Sequence, residues 1–185
     1  ERSVPLANTP RAQFRLSPSE SPSDALWRVR NGELDGVNPK VVVLMAGTNN
    51  LGRDAAADIA AGMEAVIRAI QEKAPQAVVI LMSVPPRYDR PGLLEEAREV
   101  NRRLARLAGE RVRFVDLTDR LAGAAGKPLP GRMDNDRIHL VAGGYEAWAE
   151  ALRPHLIELL GEPGKEDLAP PPTGDPAAAS RRPGG

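Results

Sequence analysis

An aspartate and a histidine three residues apart, Asp136 and His139, could carry out acid–base chemistry. In a turn, this spacing lets the carboxylate accept a hydrogen bond from Nδ1 of the imidazole, which fixes the ring tautomer and leaves Nε2 available as a general base. An isolated Asp-x-x-His sequence is more often a surface turn with an incidental histidine. The pair therefore predicts a catalytic base only when a second motif accompanies it.

A second motif, GTNN at residues 47–50, follows an apolar run and contains an amide that could bind an anion. Gly and Asn are ordinary turn residues, so a plain strand-to-helix turn also explains the motif. In the functional interpretation, the side-chain amide of Asn49 donates a hydrogen bond to a substrate oxyanion, while Gly47 and Asn50 support the loop. An amide suits this role because it does not titrate, and loss of one such donor costs on the order of 10²–10³ in rate.

Alternating strands and helices are predicted to position the two motifs. Residues 41–45 and 77–82 are continuous apolar runs, typical of strands buried on both faces of a parallel sheet, and residues 112–117 form a third strand. Helices are predicted at 25–34, 54–73, 93–107 and 144–160. This order predicts an α/β fold, a three-layer α/β/α sandwich with a parallel, flavodoxin-like sheet and right-handed crossovers. Functional groups of such sheets gather in loops at the carboxyl ends of the strands.

One folded domain between two irregular segments accounts for the length of 185 residues. Residues 1–24 are rich in Ser, Pro and Arg and have no hydrophobic period, so we expect an irregular or disordered segment there. The domain is predicted to span residues 25–161. Residues 162–185 are rich in Pro, Gly and Ala, which predicts a disordered tail.

The composition excludes several classes of protein. Basic and acidic residues balance at 25 each, so the chain has no overall attraction for nucleic acid or anionic membranes. Without cysteine it has no disulfides, thiolate metal sites or cysteine nucleophile. Its two histidines argue against a histidine-rich metal site, and we expect no metal or other cofactor. No apolar run approaches the roughly 20 residues of a membrane span, and no secretory signal is visible, so a cytoplasmic location is expected.

The order of the two motifs resembles the SGNH/GDSL hydrolases, in which Gly-x-Asn follows a buried strand and Asp-x-x-His precedes the last helix. More closely, residues 26–34 (LWRVRNGEL), 39–44 (PKVVVL) and 47–50 (GTNN) are similar to the catalytic α-subunits of platelet-activating factor acetylhydrolase IB. The resemblance covers residues 25–160. It implies an esterase that transfers an acyl group from an ester to water through an acyl-serine, without a metal.

The resemblance also implies a role for each candidate residue. His139 would act first as general base and then as general acid, Asp136 would orient it and stabilise the imidazolium, and Asn49 would donate to the oxyanion. Substrates of the family include acetyl esters of lipids and carbohydrates, so we expect a small-molecule ester. Because the acetylhydrolase subunits pair, a homodimer is also expected.

The nucleophilic serine is the part of the family pattern that this sequence does not show. No strand followed by Gly-Asp-Ser is present, and residues 15–24 lack the glycine of the second family block. A Ser/Pro loop without a preceding strand does not hold a serine rigidly beside His139. Ser83 ends the second strand, at a position that is not catalytic in the family. The nucleophile is therefore unknown, and the fold is expected to lack the first two family strands, which leaves residues 41–44 as an unpaired edge.

Two other functions remain open. A non-catalytic SGNH-like binding or dimerisation module, or an inactive fragment, fits the missing serine block. A nucleotide-binding flavodoxin-like protein fits the sheet but lacks a phosphate-binding loop.

Three smaller features complete the interpretation of the sequence. Arg87, Tyr88 and Arg90 follow the second strand and could shape a pocket, although a solvated loop is the simpler interpretation. Val141 stands where the last helix needs an N-cap that it cannot supply, which costs roughly 1 kcal/mol. His155, near the end of that helix, is interpreted as structural because a cation there favours the helix dipole.

Overall fold

The computed structural model describes the backbone of residues 13–15 and the whole of residues 21–123 and 127–163. The strands are β1 (Gln13–Arg15), β2 (Val41–Leu44), β3 (Val78–Met82) and β4 (Val112–Val115). The helices are α1 (Pro22–Arg28), α2 (Ala56–Lys73), α3 (Leu93–Ala105), α4 (Thr118–Leu121) and α5 (Ala142–Leu160). The predicted tail from residue 164 onward lies outside the described residues.

The four strands form one parallel sheet in the order β1-β2-β3-β4, so each strand lies beside the strand that precedes it in the chain. Val42 pairs with Val79, and Leu81 pairs with Phe114. A helix follows each of the last three strands, as the alternation of apolar runs predicted. The predicted α/β fold with a parallel sheet is confirmed.

The sheet is covered by helices on both faces because successive side chains of a strand point to opposite sides. Val42 and Leu44 pack in the core formed with α1, α2 and α3. Val41 and Val43 pack in the second core, which contains Trp148 of α5 and part of α4. This explains why β2 reads as an unbroken apolar run: both faces of the strand are buried.

The structure differs from the sequence expectation at the N-terminal side of the sheet. Residues 13–15 form β1, which pairs with residues 41–43, so that edge of β2 is covered over this length. Helix α1 begins at Pro22, earlier than predicted, because Ser21 forms a capping box with Asp24. The Ser21 hydroxyl accepts from the Asp24 N–H, and the Asp24 carboxylate accepts from the Ser21 N–H.

Candidate active site

Asp136 and His139 lie in contact in a tight turn between β4 and α5. Nδ1 of His139 is 2.5 Å from Oδ2 of Asp136. The other carboxylate oxygen accepts hydrogen bonds from the backbone N–H groups of Ile138 at 2.9 Å and His139 at 3.0 Å. One carboxylate therefore orients the imidazole and also holds the backbone that carries it. Both side chains are partly open to solvent, with 50% of His139 exposed.

The surroundings of Asp136 keep its carboxylate ionised. Partial burial alone raises the pKa of Asp136, but the hydrogen bonds from the His139 ring and from the N–H groups of His139 and Ile138 together lower that pKa below its usual value. A carboxylate that stays charged at neutral pH can stabilise a positive charge on the neighbouring imidazole.

The backbone of the Asp–His turn is held in an unusual conformation at Arg137, whose φ is +60°. A left-handed conformation costs a non-glycine residue roughly 1–2 kcal/mol. Two hydrogen bonds close the turn around it: the Asp134 N–H donates to the His139 carbonyl at 2.8 Å, and the Arg137 N–H donates to the Asp134 carbonyl at 3.0 Å. Such strain persists only where the surroundings determine the conformation, which is common at functional sites.

Helix α5 begins directly after this turn, and its start packs closely against the backbone. Val141 occupies the N-cap position and makes no side-chain capping bond, as predicted. Gly144 lies so close to the Arg132 carbonyl that a Cβ at this position would overlap the oxygen. The Val141 N–H also donates to the Arg132 carbonyl at 3.2 Å. Backbone packing thus takes the place of the missing cap in positioning the turn.

The GTNN motif forms a short 3₁₀ turn, Thr48–Asn50, at the carboxyl end of β2. Gly47 has a φ of +102°, and a Cβ there would lie 3.0 Å from Ile59, so this position favours glycine. Asn49 is exposed at this edge of the sheet. The side-chain amide of Asn50 instead donates to Asp54 at 2.5 Å, which closes the turn against the start of α2.

The loop after β3 joins these two regions, and it corrects one expectation. Arg87 is only 8% exposed, so it does not belong to a solvated loop. Its Nη1 donates to the Thr48 carbonyl at 3.2 Å, and the Tyr88 N–H donates to the Arg137 carbonyl at 3.1 Å. Arg90 is exposed and contacts the Leu51 carbonyl at 3.3 Å.

The serines that the structure describes do not include an evident nucleophile. Ser83 is fully buried, and its hydroxyl accepts a hydrogen bond from the Leu117 N–H at 2.8 Å, so it links β3 to the chain after β4. Ser21 caps α1. Ser17 and Ser19 lie outside the described residues. The Asp–His pair thus stands without a partner serine in the described part of the chain.

Asn101 of α3 is a buried polar residue that the sequence interpretation missed. It is 4% exposed, and its amide pairs with both backbone groups of Val84: Oδ1 accepts from the N–H at 2.8 Å, and Nδ2 donates to the carbonyl at 2.9 Å. A usable signal was present, because Asn101 lies between Ala97 and Leu104 on the apolar stripe of α3. A polar side chain in such a stripe indicates a specific buried partner.

Within residues 21–123 and 127–163, no three His, Asp or Glu side chains are grouped as a metal site would require. None of the helices described is long and apolar enough to cross a membrane.

Comparison with known proteins shows the family of the chain. The model of the GDSL-like lipase/acylhydrolase family matches residues 7–147. Subunit alpha2 of platelet-activating factor acetylhydrolase IB from Gallus gallus is 34% identical over 146 residues, which cover 78% of this chain and 63% of the relative. Subunit alpha1 from Bos taurus is 35% identical over 160 residues, which cover 85% of this chain and 68% of that protein. The chain therefore spans about two thirds of the length of these curated relatives.

The fold is also similar to that of solved structures. A GDSL-like lipase from Bacteroides thetaiotaomicron superposes with a TM-score of 0.65 at 19% sequence identity, over 76% of this chain and 73% of that one.

Proposed function

Since the chain belongs to the GDSL-like lipase/acylhydrolase family, we propose that it carries the acid–base and oxyanion-binding residues of a serine esterase. The observation that carries the proposal is the contact between His139 and Asp136. It is held in a turn whose backbone is fixed by two hydrogen bonds to the Asp136 carboxylate and by further bonds between backbone groups. An incidental surface histidine needs no such support. The proposed substrates are carboxylic esters, in particular short acetyl esters of a lipid or a carbohydrate.

In the proposed reaction, Nε2 of His139 accepts the proton of a serine hydroxyl as its oxygen attacks the ester carbonyl. The Asn49 amide donates to the oxyanion of the tetrahedral intermediate, and Asp136 stabilises the imidazolium. His139 then gives the proton to the departing alcohol, and water hydrolyses the acyl-serine by the same two steps. The described residues do not provide the serine that takes part.

The relatives support the acetyl ester as substrate, because the curated proteins matched bear the name acetylhydrolase. The alignments cover about two thirds of the length of each relative, so esterase activity has to be measured on this chain itself.

Labelling with a fluorophosphonate, followed by peptide mass spectrometry, tests the proposal directly. One serine is expected to react, and the rate is expected to fall by about 10²–10⁴ in His139→Ala, since a general base contributes that much. Asn49→Ala is expected to lower kcat for p-nitrophenyl acetate by about 10²–10³. His155→Ala is the matched control, because it removes the other histidine, which lies on α5 away from the Asp–His turn.

A binding or dimerisation module is the second candidate, and the engagement of Ser83 and Ser21 in structural hydrogen bonds favours it. It predicts a chain that folds and melts cooperatively but shows neither labelling nor turnover. A homodimer belongs to either proposal and is measured by light scattering after size-exclusion chromatography.

A further inference from the structure

The three residues 87–89, after β3, contact both loops that carry the candidate catalytic side chains. Nη1 of Arg87 donates to the Thr48 carbonyl, directly before Asn49, at 3.2 Å. The Tyr88 N–H donates to the carbonyl of Arg137, inside the Asp–His turn, at 3.1 Å. One short segment is thus attached to the oxyanion loop on one side and to the acid–base turn on the other.

Arg87 is held in a fixed orientation by Asp89. Nε and Nη2 of the guanidinium donate to the two oxygens of that carboxylate at 2.9 and 2.7 Å. Only 10% of the Arg87 side chain and 19% of the Asp89 side chain is exposed. The hydrogen bonds from Arg87 lower the pKa of Asp89, which keeps the Asp89 carboxylate charged. The guanidinium is planar, so binding Nε and Nη2 to Asp89 also fixes the direction of Nη1. In this structure Nη1 points to the Thr48 carbonyl.

The bond to Thr48 acts on the next residue because the peptide group is planar. The Thr48 carbonyl shares its plane with the nitrogen and Cα of Asn49, so fixing that oxygen fixes the plane from which the Asn49 side chain projects. The Tyr88 N–H acts similarly on the peptide group between Arg137 and Ile138. An error of about 1 Å in such an arrangement can cost on the order of 10² in rate.

We propose that Arg87 is a positioning residue, which sets the Asn49 amide relative to His139 through the Thr48 carbonyl. The proposal rests on the function proposed above. It assigns to Arg87 no contact with substrate.

Arg87→Lys tests the proposal, because lysine keeps the charge but cannot bind Asp89 at two points while reaching Thr48. We expect kcat for p-nitrophenyl acetate to fall about tenfold or more, with KM changed less than about twofold. The control is Arg103→Lys, which alters an ion pair with Glu99 on the outer face of α3. Asp89→Asn is the second variant. It keeps the shape of the pair but weakens the hold on Arg87, and it is expected to reproduce the effect.

Nuclear magnetic resonance of the Asn49 side-chain amide gives a readout that does not need turnover. Its ¹⁵N–¹H signals are expected to move in Arg87→Lys and Asp89→Asn and to stay in place in Arg103→Lys. Unmoved Asn49 signals in a folded Arg87→Lys or Asp89→Asn protein would overturn the inference. If the unaltered chain shows no esterase activity, the proposed function fails, while these signals still decide whether Arg87 positions Asn49.

Discussion

Replacing Asn101 by alanine is expected to lower the free energy of unfolding by about 2–6 kcal/mol. The side-chain amide of Asn101 is the hydrogen-bond partner of both the N–H and the carbonyl of Val84. Val84 has left the sheet at this point, because the last residue of β3 is Met82 and Ser83 pairs with the Val115 carbonyl. The Asn101 amide therefore supplies Val84 with two backbone hydrogen bonds of the kind that a neighbouring strand would otherwise provide.

The magnitude follows from what alanine leaves behind. Val84 is fully buried, and so is the surrounding chain, so water does not replace the lost partner. A buried donor or acceptor without a partner costs about 1–3 kcal/mol, and Asn101→Ala creates one of each. A typical domain has only about 5–15 kcal/mol of stability in total, so this single change removes a large share of it.

Urea unfolding followed by circular dichroism measures the effect. Asn31→Ala is the matched control, because the exposed Asn31 amide makes one bond to the Trp27 carbonyl at 2.7 Å, and its loss is expected to cost about 0.5 kcal/mol. If the free energy of unfolding of Asn101→Ala lies within about 1 kcal/mol of that of the unaltered chain, with an unchanged m-value, then Val84 has found other hydrogen-bond partners. That result would refute the reasoning.

Two further predictions concern the start of α5 and the Asp–His turn before it. Gly144→Ala is expected to destabilise the chain by about 2 kcal/mol or more, because the added Cβ would overlap the Arg132 carbonyl. The control is Gly109→Ala, where a Cβ meets nothing within 4 Å. Equal melting temperatures for the two variants would contradict the close packing of Gly144. The pKa of Asp136 is lowered in the folded state, so its stabilising contribution is present above the unfolded value of about 3.9 and is lost as the pH falls through the folded value. Asp136→Asn should therefore show a weaker loss of urea stability between pH 5 and 2 than the unaltered chain (a window of roughly these limits), and an unchanged pH dependence would show that the carboxylate is not held as described.

The central strands could be predicted because their signal is local and strong. β2 and β3 are unbroken apolar runs, and the structure places them within one or two residues of the predicted bounds. β1 gave no such signal, since three residues are too few to show a period. Its pairing with β2 is a tertiary event, and only the structure reveals it.

The same division applies to the candidate site. The contact between Asp136 and His139 joins residues three apart, so their spacing was enough to predict the hydrogen bond. Arg87 looked like a loop residue because its partner in the loop of Asn49, Thr48, is distant in the sequence. Asn101 was missed for the same reason, although its place on an apolar stripe was visible. The hydrogen bonds of Arg87 and Asn101 join segments that are distant in the sequence, and local sequence patterns do not predict such contacts.

The order of the strands in the sheet has a consequence for how the chain is made. Each described strand pairs with the strand synthesised just before it, so every closure joins consecutive strands of the chain. A growing chain can then add one strand and one helix at a time to a sheet that already exists. Asp136 and His139 follow the last strand, and they leave the ribosome after the loops of Asn49 and Arg87. The candidate Asp–His turn is thus the last of these three loops to become available for packing.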